Sequence, residues 1–152
     1  MPTLFIYYSL TGNGDLVAEK MRELGAEVCK VQTAKPMPKS FFGAILKGGF
    51  LAAIGHKMPL KDFDLTLDGY DRVVIGSPVW NGRLACPINT VLASLDLAGK
   101  EVAFVLCAGG GEAPKAVARL KKEYPSASVV ILKEPKKYAD ELAKISNYFD
   151  KN

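Results

Sequence analysis

Five short apolar runs, rich in β-branched or aromatic residues, recur along the chain: TLFIYY (3–8), AEVCKV (26–31), RVVIGS (72–77), EVAFVLC (101–107) and SVVIL (128–132). They are mostly continuous rather than alternating, the pattern of strands covered on both faces of a parallel sheet. Between them apolar residues return at helical spacing. Leu16, Val17, Met21 and Leu24 lead to Gly25; Ile88, Val91, Leu92 and Leu95 lead to Gly99; Val117, Leu120 and Tyr124 form a third stripe, and Leu142, Ile145 and Phe149 a fourth. Strand and helix alternating over the whole length predict a doubly wound α/β fold, a five-stranded parallel sheet with helices on both faces and right-handed crossovers.

With 152 residues and 49% hydrophobic content the chain can bury one core and is too short for two comfortable ones, so residues 1–152 are expected to form a single domain. One connection is out of scale. Residues 33–71 are far longer than an ordinary loop. Phe42, Ile45, Leu46, Phe50 and Ile54 could share a helical face there, and Gly48 and Gly49 could kink it, which predicts a long helical connection. Five lysines and no acid lie between Lys35 and Lys61; a solvated lysine face is preferred over a membrane or partner surface.

The formal net charge is +4, from 20 basic and 16 acidic residues, too mild for a nucleic-acid groove. It favours an acidic partner. Cys29, Cys86 and Cys107 are widely spaced and odd in number, so neither a disulfide framework nor a cysteine metal site is expected. His56 has no second ligand at metal spacing and reads as a surface histidine. No basic and apolar leader opens the chain and no apolar run reaches spanning length, so a cytoplasmic protein without a transmembrane segment is expected.

Ligands of open α/β sheets lie beyond the carboxyl ends of the strands, at the switch point of the strand order. Three strand-end loops are specialised. SLTGNGD (9–15) offers hydroxyls at Ser9 and Thr11, an amide at Asn13 and backbone N–H groups entering a helix, a donor set suited to a phosphate. Gly12 and Gly14 permit close approach, and no Lys or Arg lies in the loop, so a phosphomonoester held mainly by neutral donors is expected. An ordinary helix N-cap at Asn13 or Asp15 is the plainer alternative. Val17 stands where a dinucleotide fingerprint needs its third glycine, and no Walker loop is present. GSPVWNGRLACP (76–87) carries Trp80, the only tryptophan, directly before the turn pair Asn81 and Gly82. A strand-end indole can stack on a planar heteroaromatic ring, although a lone Trp is more often core. CAGGGEAP (107–114) ends the fourth run in three glycines, which again favours close approach of a ligand to backbone.

In this order the three loops resemble the flavodoxin-like family of FMN proteins, of short-chain type, over nearly the entire chain. The resemblance implies the strand order 2-1-3-4-5 and FMN as cofactor. It implies that Ser9, Leu10, Thr11, Gly12, Asn13 and Gly14 hold the FMN phosphate, that Pro78, Val79, Trp80, Asn81 and Gly82 bind the ring, and that Cys107, Ala108, Gly109, Gly110 and Gly111 border the flavin edge. Gly14 departs from the family, which carries a hydroxyl residue there; one neutral hydrogen bond, about 0.5–1.5 kcal/mol, is forgone. The Asn81–Gly82 peptide is expected to turn its carbonyl toward flavin N5 and favour the one-electron-reduced state, with no catalytic side chain. Family carriers are acidic, whereas here Arg83 follows the ring loop, which implies a less negative potential. Electron transfer with a redox partner protein is the leading reading. The alternatives are an FMN-dependent oxidoreductase reducing a quinone or other small acceptor with NAD(P)H, its flavin roofed by Phe41, Phe42 and Phe50, and a binding module that has lost FMN.

Overall fold

The computed structural model describes residues 1–34 and 58–151. Its strands are β1 (Thr3–Tyr7), β2 (Glu27–Lys30), β3 (Arg72–Trp80), β4 (Arg83–Leu84), β5 (Glu101–Ala108) and β6 (Ser128–Lys133). Its helices are α1 (Asn13–Glu23), α2 (Cys86–Ser94), α3 (Pro114–Glu123) and α4 (Ala143–Asp150), the last entered through a 3-10 turn at Ala139–Leu142. The main sheet runs β2-β1-β3-β5-β6, all parallel, and β4 pairs antiparallel with the end of β3. The five expected strands thus take the expected order, and the two-residue β4 is an addition.

Alternate residues of each central strand face opposite layers. Leu4, Ile6, Val73, Ile75, Phe104 and Leu106 pack on Ile88, Val91 and Leu92 of α2 and Ala116 and Leu120 of α3. Phe5, Tyr7, Val74, Ala103 and Val105 pack on Val17, Ala18 and Met21 of α1 and Ile145 of α4. Two buried faces explain why the central runs are continuous: nearly every position of β1, β3 and β5 meets a helix layer, whereas Glu27 and Lys30 of the edge strand β2 are exposed. The helical stripes end a little early. Leu24, expected on the core face of the first stripe, is 38% exposed because α1 closes at Glu23 and the chain turns away through Gly25, with φ of 88°.

The strand order reverses at β1, since the chain steps from β1 to β2 on one side and then crosses to β3 on the other. The carboxyl ends of β1 and β3 therefore flank the switch point, where the loops splay apart. The described ends of the long connection meet beside β2. Thr33 and Leu60 form an antiparallel bridge, Ala34 N–H donates to the Pro59 carbonyl at 2.9 Å, and Lys61 N–H donates to the Gln32 carbonyl at 2.8 Å. Residues 58–71 contain no helix, and the expected helical face from Phe42 to Ile54, with His56, lies outside the described residues.

Candidate functional site at the carboxyl end of the sheet

The loop after β1 is built around Ser9. Its Oγ accepts hydrogen bonds from the N–H groups of Gly12 at 3.1 Å and Gly14 at 3.2 Å, folding the chain into a tight arch. Gly12 caps α1 with φ of 99°, a left-handed conformation that an L side chain adopts only under strain. The first amide to reach a carbonyl of its own helix is that of Leu16, which donates to Gly12 at 3.3 Å. The earlier amides of Asn13 and Asp15 have no intrahelical acceptor, so the positive end of α1 opens on the arch. Thr11 is exposed at its crest.

Gly14 has a steric cause. A Cβ there would stand 2.9 Å from Ser9 Cβ and 3.1 Å from Tyr7 Cδ2, so Ser9, with the tyrosine ring at the end of β1 beside it, fills the place of a side chain. Tyr7 in turn donates its hydroxyl to Asp15 at 2.7 Å, and Lys30 approaches the same carboxylate at 2.8 Å. Burial pushes the Asp15 carboxyl upward, but the hydrogen bonds from Lys30 and Tyr7 and the lysine charge outweigh it, and the group sits below the ordinary carboxylate range. Burial and the bond to Asp15 raise the Tyr7 phenol well above its usual value. A depressed folded-state pKa contributes stability above the unfolded value and loses it as pH falls through the folded one. In urea titrations, Asp15→Asn is therefore expected to be less stable than the parent at neutral pH, and the gap should close below about pH 4. A gap that is unchanged at about pH 2 would mean that the carboxylate charge is not its source.

The loop's own donors are neutral, as its sequence indicates, but a cation from another part of the chain lies against it. Lys136, in the segment between β6 and the 3-10 turn, donates from Nζ to the Thr11 carbonyl at 2.8 Å and from its backbone N–H to Asn13 Oδ1 at 2.9 Å. Its Cδ lies 3.4 Å from the place of a Gly12 Cβ, so the side chain drapes over the arch.

The second loop is a hairpin. Val79 pairs with Leu84 and Trp80 with Arg83, leaving Asn81 and Gly82 at the tip with φ of 50° and 76°. Positive φ at both positions is the signature of a type I′ turn, whose twist matches the flanking strands. Ser77, 3% exposed, fixes its base: Oγ donates to the Pro78 carbonyl at 2.8 Å and accepts from Ala85 N–H at 3.0 Å. The Gly82 carbonyl accepts from Ala116 N–H at 3.1 Å, tying the tip to the start of α3. Lys115 Cδ comes within 3.6 Å of a Cβ built on Gly82, and Arg83 is exposed. Trp80 does not stand free. It is 7% exposed and meets Tyr8 edge to face, with ring centroids 5.8 Å apart, so the indole is mostly core.

In the third loop Cys107 and Ala108 are buried in β5, whereas Gly109 and Gly110 are exposed and a Cβ at Gly110 would meet nothing within 4 Å. Gly111, with φ of 77°, turns the chain back toward α3. Burial pushes the Cys107 thiol up to about 12, which keeps it protonated and unreactive at neutral pH. Among the described residues no group of three or more His, Cys, Asp or Glu side chains could hold a metal ion, and no helix is long and apolar enough to cross a membrane.

An arch at the end of β1, a glycine-tipped hairpin at the end of β3 and bare backbone after β5 lie at the carboxyl ends of the strands of a doubly wound α/β sheet. The chain belongs to the flavodoxin family, whose model matches residues 56–151. Solved structures share the fold. A candidate flavoprotein of Bacteroides eggerthii has a TM-score of 0.72 at 23% identity, covering 93% of this chain and 98% of its own. One of Bacteroides uniformis gives 0.68 at 25% identity, over 85% and 89%. A flavoprotein of Lactobacillus acidophilus, solved in complex with FMN, gives 0.66 at 24% identity, over 91% and 97%. A comparison with curated proteins finds no match.

Proposed function

We propose that the protein binds FMN at this switch point and serves in electron transfer. The observation that carries the reading is the arch at 9–14, where the open end of α1 lies beside the exposed Thr11, whose hydroxyl accepts from the Asn13 side-chain amide at 3.4 Å. That donor chemistry fits a phosphate monoester. The hairpin of Pro78 to Gly82, with Trp80 and Tyr8 behind it, and the backbone of Gly109 to Gly111 would border the ring. The bound flavin supplies the redox chemistry, and the protein orients and tunes it. Both the family membership and the FMN complex of the Lactobacillus acidophilus relative support the reading.

The chain's own contribution to tuning is charge and backbone freedom at the hairpin. The Gly82 carbonyl is held by Ala116, so the peptide free to reorient is the one between Asn81 and Gly82. Arg83 and Lys115 place two cations beside the turn, which favours a reduced, negatively charged flavin. Removing both in Arg83→Ala/Lys115→Ala is expected to lower the reduction potential of the bound flavin by tens of millivolts, the order expected for screened charges near the ring. An unchanged potential in redox-dye equilibration would separate these charges from the tuning. The net charge of +4 favours an acidic redox partner.

The test of the function is an anaerobic reductive titration of the protein with added FMN, followed by absorbance into the red. Bound flavin that passes through a long-wavelength, one-electron-reduced species supports electron transfer. Direct two-electron reduction with NAD(P)H turnover would favour the oxidoreductase reading, and failure to bind FMN would overturn both.

A further inference from the structure

We infer that Lys136 is the cation of the phosphate site and makes this chain select FMN over riboflavin. The inference rests on the FMN reading above and adds a residue from the far end of the sequence. Lys136 lies in the loop that follows β6, directly against the arch. Two contacts hold it there. Its backbone N–H donates to Asn13 Oδ1 at 2.9 Å, which fixes the main chain, and its Nζ donates to the Thr11 carbonyl at 2.8 Å, which parks the charge on the crest.

The other cations of this loop are engaged elsewhere. Lys137 pairs with Glu134 at 3.4 Å, and Lys133 Nζ lies 4.8 Å from the centre of the Tyr138 ring. On the β1 side, Lys30 is committed to Asp15 at 2.8 Å. Among the described residues Lys136 takes part in none of the ion pairs, so its charge is not offset by a carboxylate. Its stem packs over the glycine at position 12, with Cδ at 3.4 Å and Nζ at 3.7 Å from a Cβ built there. Larger residues would displace the lysine.

An exposed ammonium on a neutral carbonyl gains little, whereas a phosphate monoester offers nearly two negative charges and three acceptor oxygens. Rotation about the terminal torsions of the side chain moves Nζ from the Thr11 carbonyl toward an anion seated on the arch, while the bond to Asn13 keeps the backbone in place. Riboflavin carries the same ring and ribityl chain and no phosphate, so it gains nothing from this lysine.

Titrations of FMN and riboflavin into the full chain, followed by quenching of flavin fluorescence at two salt concentrations, test the assignment. Lys136→Met is expected to weaken FMN about tenfold, a difference of about 1.4 kcal/mol, and to leave riboflavin within about twofold. It should also flatten the salt dependence of FMN affinity. Lys136→Arg should retain most of the preference for FMN. Equal weakening of both flavins would assign Lys136 a purely structural role in shaping the arch, and an unchanged FMN to riboflavin ratio would remove it from the phosphate site; either result overturns the inference while leaving FMN binding intact. If the parent protein binds neither flavin, the FMN reading and this inference fall together.

Discussion

Gly76→Ala is expected to destabilise the protein by about 1–3 kcal/mol, the usual range for an overpacked core, and to lower the melting temperature by several degrees. Gly76 lies in β3 between Tyr7 of β1 and Val105 of β5, and as an even-numbered neighbour of Val74 it faces the layer of α1 and α4. A Cβ at this position would stand 2.5 Å from Phe5 Cζ, 2.8 Å from Phe5 Cε2 and 2.9 Å from Tyr7 Cβ. Neither neighbour can withdraw easily. Phe5 is fully buried and its ring is stacked on Tyr7 at 5.1 Å, nearly parallel, while Tyr7 is anchored through its hydroxyl to Asp15. Because that anchor leads to the arch, the strain should reach the site: Gly76→Ala is expected to weaken flavin binding as well. Equilibrium urea unfolding and thermal melts check the first effect. Stability within about 0.5 kcal/mol of the parent would mean that the Phe5 ring repacks at little cost.

That glycine illustrates what the sequence could and could not convey. Read in the chain, Gly76 closes a strand run and opens the motif GSPVWNG, which gives its glycine a loop role; in the structure its missing side chain makes room for Phe5. The five strands and four helices were legible because continuous apolar runs and stripes of period 3.6 are local signals. The end of β3 was not, since Pro78 argues for a stop, yet the strand continues to Trp80 because β4 folds back on it through the Asn81–Gly82 turn. The direction of a lone indole is likewise set by tertiary contact, here with Tyr8. The glycines of the arch stand out in the sequence, but not the contacts that close on Gly14, where Ser9 from its own loop and the Tyr7 ring from the preceding strand leave no room for a side chain. Lys136 was beyond reach for the same reason in stronger form: 125 residues separate it from Thr11, and in sequence it is one of two adjacent lysines near a helix.

At the opposite, amino-terminal end of the strands, a charge buried for structural reasons gives the second large effect. Arg72, at the start of β3, is 5% exposed; its Nε donates to Glu101 at 2.7 Å and its guanidinium lies 4.9 Å from the centre of the Phe149 ring. One terminal nitrogen, Nη2, is buried with no hydrogen-bond partner, so the pair already carries part of the penalty of desolvation. Glu101→Gln takes away the countercharge and leaves the cation in place. Removing one partner of a fully buried pair costs about 3–5 kcal/mol. The Glu101 side chain is 39% exposed, and solvent screening reduces the expected loss to about 1–3 kcal/mol. Arg72→Met has the opposite logic, because a flexible apolar side chain of similar length keeps the packing on Phe149 and abolishes both the buried charge and the orphan nitrogen. The double variant Arg72→Met/Glu101→Gln is therefore expected to be more stable than Glu101→Gln alone, a sign of coupling that a double-mutant cycle in urea measures directly. If the two losses simply add, the ion pair contributes nothing specific, and the stability of this corner resides in the contact between Arg72 and Phe149.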